Sequence, residues 1–372
     1  MIGIGGMGSA IAYHLSRRGL KVLGLERFDI PHTNGSSHGV TRVIRLAYSE
    51  HPSYVSLLRR AYELWRELQA LFGRQLLYIT GGIDAGARGS RVFEGSVRSC
   101  ELHGLEHTIL TSSELSRRFP AYRLPSDVMA VFQPDGGFLI PELCISAHVA
   151  LAQSHGAVIS AREQVTRWEA AASGVRVWTD RRSCQADKLV ISAGPWVSKF
   201  VDSMTGIANP ERQVLAWFQP VHLDLFLPER FPVFNLELSE GRYYGLPVFG
   251  VPGFKVGRYH HLEQTIDPDD PRRDCYPEDE QLLRDFVARY FPDGAGPTMA
   301  LRACIFTNTP DEHFVLDQHP TLPNVLIASP CSGHGFKFCS VVGEIMADLV
   351  EKGETGHDIS MHRLARFHNA VK

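Results

Sequence analysis

Apolar positions along this chain change period several times, and each change marks a new element. Ile11 and Leu15 lie one helical turn apart in a segment from about Met7 to Arg18, which Gly19 stops. Lys21 to Leu25 then reads as a short strand that ends at Glu26. From Tyr54 to Leu71 the period is helical again, with Leu57, Leu58, Ala61, Leu64, Trp65 and Leu68 on one face. Leu77 to Leu139 breaks into short β-like pieces and polar helices and reads as an insertion. Pro141 opens a helix that Gly156 terminates. Strands follow in AVISA, VRVWT and KLVISAG, the last a buried run that leads through Gly194 into a helix. Between Gln213 and about Val256 the spacing alternates and turns aromatic, in QVLAWFQPV, VFNLEL, YYGLPVFG and GFKVG, which predicts an antiparallel sheet. The last segment returns to a strand, NVLIAS, a Gly-rich turn and a helix striped with Val341, Val342, Ile345, Met346 and Leu349.

This order describes an α/β domain with a doubly wound parallel sheet, assembled from residues 1–76, 141–211 and 299–372. An antiparallel substrate domain, residues 77–140 and 212–298, interrupts it, and ligands are expected between the two. Gly3, Gly5, Gly6 and Gly8 spell a dinucleotide fingerprint that opens the first helix, and Glu26 stands where a ribose-binding acid belongs. The strand that should precede Gly3 is nearly missing, so either the start is assigned late or the sheet tolerates a short strand. After Glu26 the chain enters a loop rich in Gly, Ser and His instead of another βα unit, which favours flavin over nicotinamide. Gly333, His334, Gly335, Phe336 and Lys337 form a second backbone turn, placed at a helix start to face a negatively charged ring.

Composition narrows the function further. The chain has 372 residues, a net charge of −3 and no basic stripe, so nucleic acid is not an expected partner. No apolar run of membrane-spanning length and no leader pattern occur, so a cytoplasmic protein without a membrane partner is expected. Seven cysteines, an odd number, lack metal-site spacing, so neither a disulfide framework nor a metal is expected. Most read as small buried hydrophobes, Cys144 among them.

GIGGMGSAIAYHL with Glu26, PHTNGSSHGVTRVIRLAY, YYGLPVFG with GFKVG, TPDEHFVLD and SGHGFKF together resemble the monomeric sarcosine oxidase family of flavoproteins, which includes N-methyltryptophan and pipecolate oxidases. The likeness covers nearly the whole chain. It implies a two-domain architecture like that of D-amino-acid oxidase, and FAD tethered through Cys304, just ahead of TPDEHF. It implies oxidation of a secondary amino acid to an imine, with O2 reduced to H2O2, by a monomer. Arg45 and Lys337 match the pair that binds the substrate carboxylate, and Lys255 the site of oxygen activation. Tyr244 matches an aromatic pocket wall. A substrate-contacting histidine matches His260 or His261, and His260 is the choice. His38 and Arg42 match residues beside the flavin, Val165 and Gly194 are counted with the cofactor, and His334 is expected to order its loop. Two other readings stand beside this one: a flavin dehydrogenase with another electron acceptor, and a non-catalytic dinucleotide-binding paralogue.

Overall fold

The computed structural model describes residues 1–270, 273–329 and 332–367, so Cys331 lies outside the described residues. Ile2 stands at the middle of the first domain, bridging Leu25 on one side and Ile191 on the other, both in parallel. Its amide donates to the Val190 carbonyl at 2.9 Å, and the Gly3 amide to that of Leu25 at 2.9 Å. The short first strand is thus present as a bridge, and its polar backbone is taken up from both sides. Outward from it, Leu23–Leu25 pairs in parallel with Val158–Ser160, and Leu189–Ile191 in parallel with Leu322–Ala328. Leu316–His319 adds an antiparallel edge.

Helices Gly6–Arg17, Tyr54–Phe72, Pro141–Ser154 and Cys339–Lys352 share one apolar core with these strands, built from Ala10, Ile11, Leu58, Trp65, Ala147, Val342 and Met346. A three-stranded antiparallel sheet, Val165–Ala170, Val175–Thr179 and Ser183–Ala186, packs elsewhere on the parallel sheet through Val165, Val175 and Val177. Its outer strands carry mostly exposed residues, so apolar alternation reveals only VRVWT.

The second domain is an eight-stranded sheet in the order Thr298–Asn308, Asn209–Phe218, Phe254–Arg258, Gly241–Leu246, Val233–Leu238, Gly82–Ala87, Val128–Gln133, Thr108–Thr111. It is not wholly antiparallel: Val233–Leu238 runs parallel to Gly82–Ala87. The two come from distant chain segments, and no hairpin fixes their relative direction. The expected divisions after 211 and 298 fall inside strands of this sheet, so Cys304 belongs to the sheet that faces the cofactor domain.

Pleating gives that sheet two unlike faces. Val214, Ala216, Phe218, Leu236, Phe254 and Val256 pack on Leu283, Phe286 and Val287 of the helix Pro277–Tyr290. Leu215, Trp217, Tyr244 and Cys304 cluster on the opposite face, turned toward the first domain. The Pro277–Tyr290 helix is also tied to the sheet by charge. Arg212 donates to both oxygens of the fully buried Asp279 at 2.8 and 2.6 Å, and His261 Nε2 donates to the same carboxylate at 2.9 Å. Asp279→Ala would leave the Arg212 guanidinium buried without its partner. It is expected to cost about 3–5 kcal/mol of stability, read from the shift in a urea unfolding midpoint.

Candidate active site

A single cleft between the domains is lined by the first glycine turn, by Glu26, by the turn at 332–337 and by the inner face of the eight-stranded sheet. At the glycine turn the packing is specific. A Cβ on Gly8 would lie 2.0 Å from the Gly3 carbonyl oxygen, so only glycine lets the helix start so close to the strand. A Cβ on Gly5 would meet nothing within 4 Å, so its backbone borders open space in the cleft. The helix Gly6–Arg17 has no side-chain cap and no acid in its first turn, which leaves its N-terminal end available to an anion.

Glu26 accepts the amide of Ile4 through Oε2 at 2.8 Å and that of Phe28 through Oε1 at 3.0 Å. The bonds fix the carboxylate at the cleft wall and leave lone pairs for ribose hydroxyls. Val165, Gly194, Phe28 and Trp196 line the same region. Asp269 of the second domain closes over it, accepting from Trp196 Nε1 at 2.7 Å and pairing with Arg27 and Lys199. Thr307 lines the cleft, and its buried Oγ1 has no partner among the described residues. Both ring nitrogens of His38, a residue 1% exposed, also lack partners there. Open backbone, an uncapped helix end and unspent polar atoms fit a dinucleotide cofactor such as FAD.

Strand register brings the remaining groups together. Trp217 pairs with Lys255 and Lys255 with Leu246; Leu215 pairs with Gly257, Gly257 with Tyr244, and Tyr244 with Asn235. These neighbours share one face, and Gly257 makes room for Tyr244, whose hydroxyl would lie 2.4 Å from a Cβ there. Lys255 is 1% exposed; its Nζ donates to the carbonyls of Gly39 at 2.9 Å and Thr41 at 2.7 Å and lies 5.4 Å from the Trp217 ring centre. Burial, with Arg42 nearby, lowers its pKa well below that of a free lysine.

Arg45 and Lys337 line the cleft from the first domain and are 3% and 4% exposed. Arg45 Nε donates to the Ala47 carbonyl at 3.1 Å and lies 3.2 Å from Asp84, while Nη2 reaches Glu50 at 3.2 Å. Glu50 also holds Arg242 at 2.6 Å, and Asn235 joins Arg242 to Asp84 with bonds of 2.8 and 2.9 Å. Burial opposes the charge on Glu50, yet Arg45 and Arg242 keep its carboxyl well below the ordinary range. Burial raises the Asp84 carboxyl in spite of Arg45. Lys337 Nζ donates to the His334 carbonyl at 2.7 Å, and burial with Arg45 beside it brings its pKa down to about 7.

Most sequence-predicted residues therefore meet in one place: Gly3, Gly5, Gly6, Glu26, Arg42, Arg45, Val165, Gly194, Tyr244, Lys255 and the turn from Gly333 to Lys337 all line the cleft. Gly8 supports its wall, and Cys304 Sγ lies 3.5 Å from Arg42 Nη2 and 3.8 Å from the Ser36 carbonyl oxygen. His334 donates from Nε2 to the Glu312 carbonyl at 2.9 Å, so its Nδ1 accepts from the Tyr48 hydroxyl at 2.6 Å. Burial lowers its pKa to about 3, as suits a neutral ring that orders the loop.

Two histidines are exceptions. His38 is buried behind the cleft wall and does not line it. His260 does not line the cleft either; it bridges Glu211 and Glu312 at 3.0 Å each, and these bonds raise its pKa to about 10. His261 points to Asp279. Tyr259 lines the cleft instead, with its ring 5.3 Å from that of Tyr244. Lys255 and Gly257 fall on the cleft face of the strand Phe254–Arg258 and Tyr259 follows them, whereas His260 lies past the strand's end at φ +52°, where alternation no longer holds. Glu50, Asp84, Asn235 and Arg242 were missed as well, for they come from a bend and three separate strands that only the fold brings together.

The chain is similar to known proteins over nearly its whole length. Residues 1–349 match the family described as FAD dependent oxidoreductase. A monomeric sarcosine oxidase from Bacillus sp. is 41% identical, covering 98% of this chain and 96% of its own. The N-methyl-L-tryptophan oxidase of Yersinia pestis is 34% identical, covering 99% and 98%. Among solved structures, NikD, an amino acid oxidase of nikkomycin biosynthesis, superposes with a TM-score of 0.84 at 24% identity, covering 97% of this chain and 95% of its own. With a family match over residues 1–349 joined to a cleft that fits a dinucleotide, the chain belongs to the FAD dependent oxidoreductase family.

Proposed function

We propose that the protein is an FAD-dependent oxidase of secondary amino acids, sarcosine or a related N-methyl amino acid, that passes the electrons to O2. One observation carries this reading: the glycine turn and the buried cations Arg45, Lys255 and Lys337 share a single cleft. For sarcosine, substrate, O2 and water would give glycine, formaldehyde and H2O2. Bound FAD supplies the hydride acceptor. The names of the curated relatives support the substrate class, and a monomer as well. A cytoplasmic location completes the reading, in keeping with the sequence; no described helix is long and apolar enough to cross a membrane.

The chain's own groups then divide the work. Lys337 keeps two ammonium protons beyond the one given to His334, and Arg45 lies beside it, so both can hold a carboxylate. Fixed positive charge and desolvation lower the pKa of the substrate amine, which must be neutral to lose hydride. Tyr244 and Tyr259 wall the pocket. Lys255 supplies positive charge where O2 gains its first electron, in a dry site where that charge acts strongly. That role favours an oxidase over a dehydrogenase. We infer that Cys304 tethers the cofactor, with Arg42 balancing charge that develops on its sulfur.

Acid precipitation of the purified protein is expected to carry the yellow colour into the pellet, and Cys304→Ala to release it to the supernatant. Free flavin from the unaltered protein would overturn the tether but not the oxidase. Peroxide should form in equal amount to the amine oxidised; dye reduction without peroxide would favour a dehydrogenase.

Lys337→Met is expected to weaken binding of a carboxylate inhibitor lacking an amine by about 10- to 150-fold, the equivalent of one charge-assisted hydrogen bond. In the unaltered enzyme the same affinity should fall as pH rises through about 7, where Lys337 loses its proton, as read by flavin difference spectra.

Lys255→Met should slow reoxidation of the reduced enzyme by roughly 10²–10³-fold in stopped-flow mixing with O2, with little effect on anaerobic reduction.

A further inference from the structure

Lys255 is held by a turn of unusual shape. The amide of Thr41 donates to the Gly39 carbonyl at 2.8 Å, which closes a γ-turn around Val40. Val40 sits at φ +70° and Gly39 at φ +99°. A β-branched residue in the left-handed region is strained, and strain of this kind persists only where surrounding groups fix it. A carboxylate does so here. Glu142, at the start of the helix Pro141–Ser154, accepts the amide of Gly39 at 2.7 Å and that of Val40 at 3.1 Å, both through Oε1. Its Oε2 is buried and has no hydrogen-bond partner among the described residues.

The Gly39 carbonyl and the Val40 amide belong to one peptide group. Its N–H end faces Glu142 and its oxygen faces the Lys255 ammonium, so carboxylate, peptide dipole and cation are hydrogen-bonded in series. We propose that Glu142 is a positioning residue that keeps Lys255 cationic through this single peptide group. The inference rests on the reading of Lys255 as the oxygen-activating cation.

Charges around the lysine point the same way. Arg42 and His38 flank it from the turn, Arg302 and Cys304 face it from the strand Thr298–Asn308, and the Trp217 ring lies beneath it. Both arginines oppose the ammonium; Glu142 and Cys304 favour it. Once Cys304 is tied up as a thioether it carries no charge, and Glu142 is the carboxylate left to balance a cation that burial destabilises. Glu142 also lines a second, shallow hollow, where Arg74 is the charged side chain that shares it.

The test is titration of Lys255 in the flavin-loaded enzyme by NMR of 13Cε-labelled lysine, with its signal assigned by loss in Lys255→Met. Glu142→Gln keeps an oxygen for the two amides and removes the charge, so the Lys255 midpoint should fall by about one pH unit, a tenfold change in the ratio of cation to neutral amine. Glu142→Asp keeps the charge and should keep the midpoint near that of the unaltered enzyme. An unchanged midpoint in Glu142→Gln, or an equal fall in both variants, would overturn the proposal. A second measurement needs no substitution: the Val40 amide resonance should titrate with the Lys255 midpoint, and a Val40 signal indifferent to it would also count against the link. Reoxidation by O2 should lose rate at correspondingly lower pH in Glu142→Gln. If Lys255→Met reoxidises at the normal rate, the oxygen-activating role fails, whereas the NMR midpoints judge the link by themselves.

Discussion

A charge taken out of water must find compensation within a few ångströms, and the cleft takes Arg45, Lys255 and Lys337 out together. The compensation differs in kind. Arg45 is met by carboxylates, Glu50 and Asp84, which fix the planar fork in one pose. The two lysines are met by backbone carbonyls and aromatic faces: Gly39, Thr41 and Trp217 for Lys255, and His334, Tyr48 and Phe338 for Lys337. Partial charges hold an ammonium without cancelling it. The cleft thus keeps positive potential at its wall, and donors already in place need no reorganisation when negative charge develops beside them.

The sheet makes this arrangement possible by separating its two tasks between its faces. One face is apolar and packs on the Pro277–Tyr290 helix, with Phe234, Phe254 and Phe286 all against the Phe291 ring. That packing holds the strands in register. The other face carries chemistry on the same strands, so Lys255 and Tyr244 inherit the rigidity of a core to which they contribute little. His261 and Asp279 serve the same end at the margin.

Much of this was legible in the residues. The glycine turn, its helix and Glu26 announce a dinucleotide site because backbone approach to a phosphate demands those residues at that spacing. Arg45, Lys255 and Lys337 could be named because the motifs that hold them, PHTNGSSHGVTRVIRLAY, GFKVG and SGHGFKF, resemble those of the sarcosine oxidase family. His260 could not be placed by motif, since a one-residue shift along a strand end changes the face that a side chain occupies. The Glu50, Arg242, Asn235 and Asp84 network was invisible for a different reason: its members lie up to 192 positions apart, and pairing between remote strands decides which of them meet. The same remoteness hid the parallel contact between Gly82–Ala87 and Val233–Leu238.

Ile2 of the central bridge, bonded to the strand at Leu189–Ile191, illustrates how late this molecule becomes itself. The strand at Ile2 remains half-paired until residue 191 exists, and the cradle it begins is finished by Gly335 and Lys337, more than 300 positions further along. A dinucleotide site of this kind has no local version that could assemble early. Capture of the cofactor is therefore a record of long-range folding, and every polypeptide that retains it has already brought Gly3 and Gly335 to one cleft.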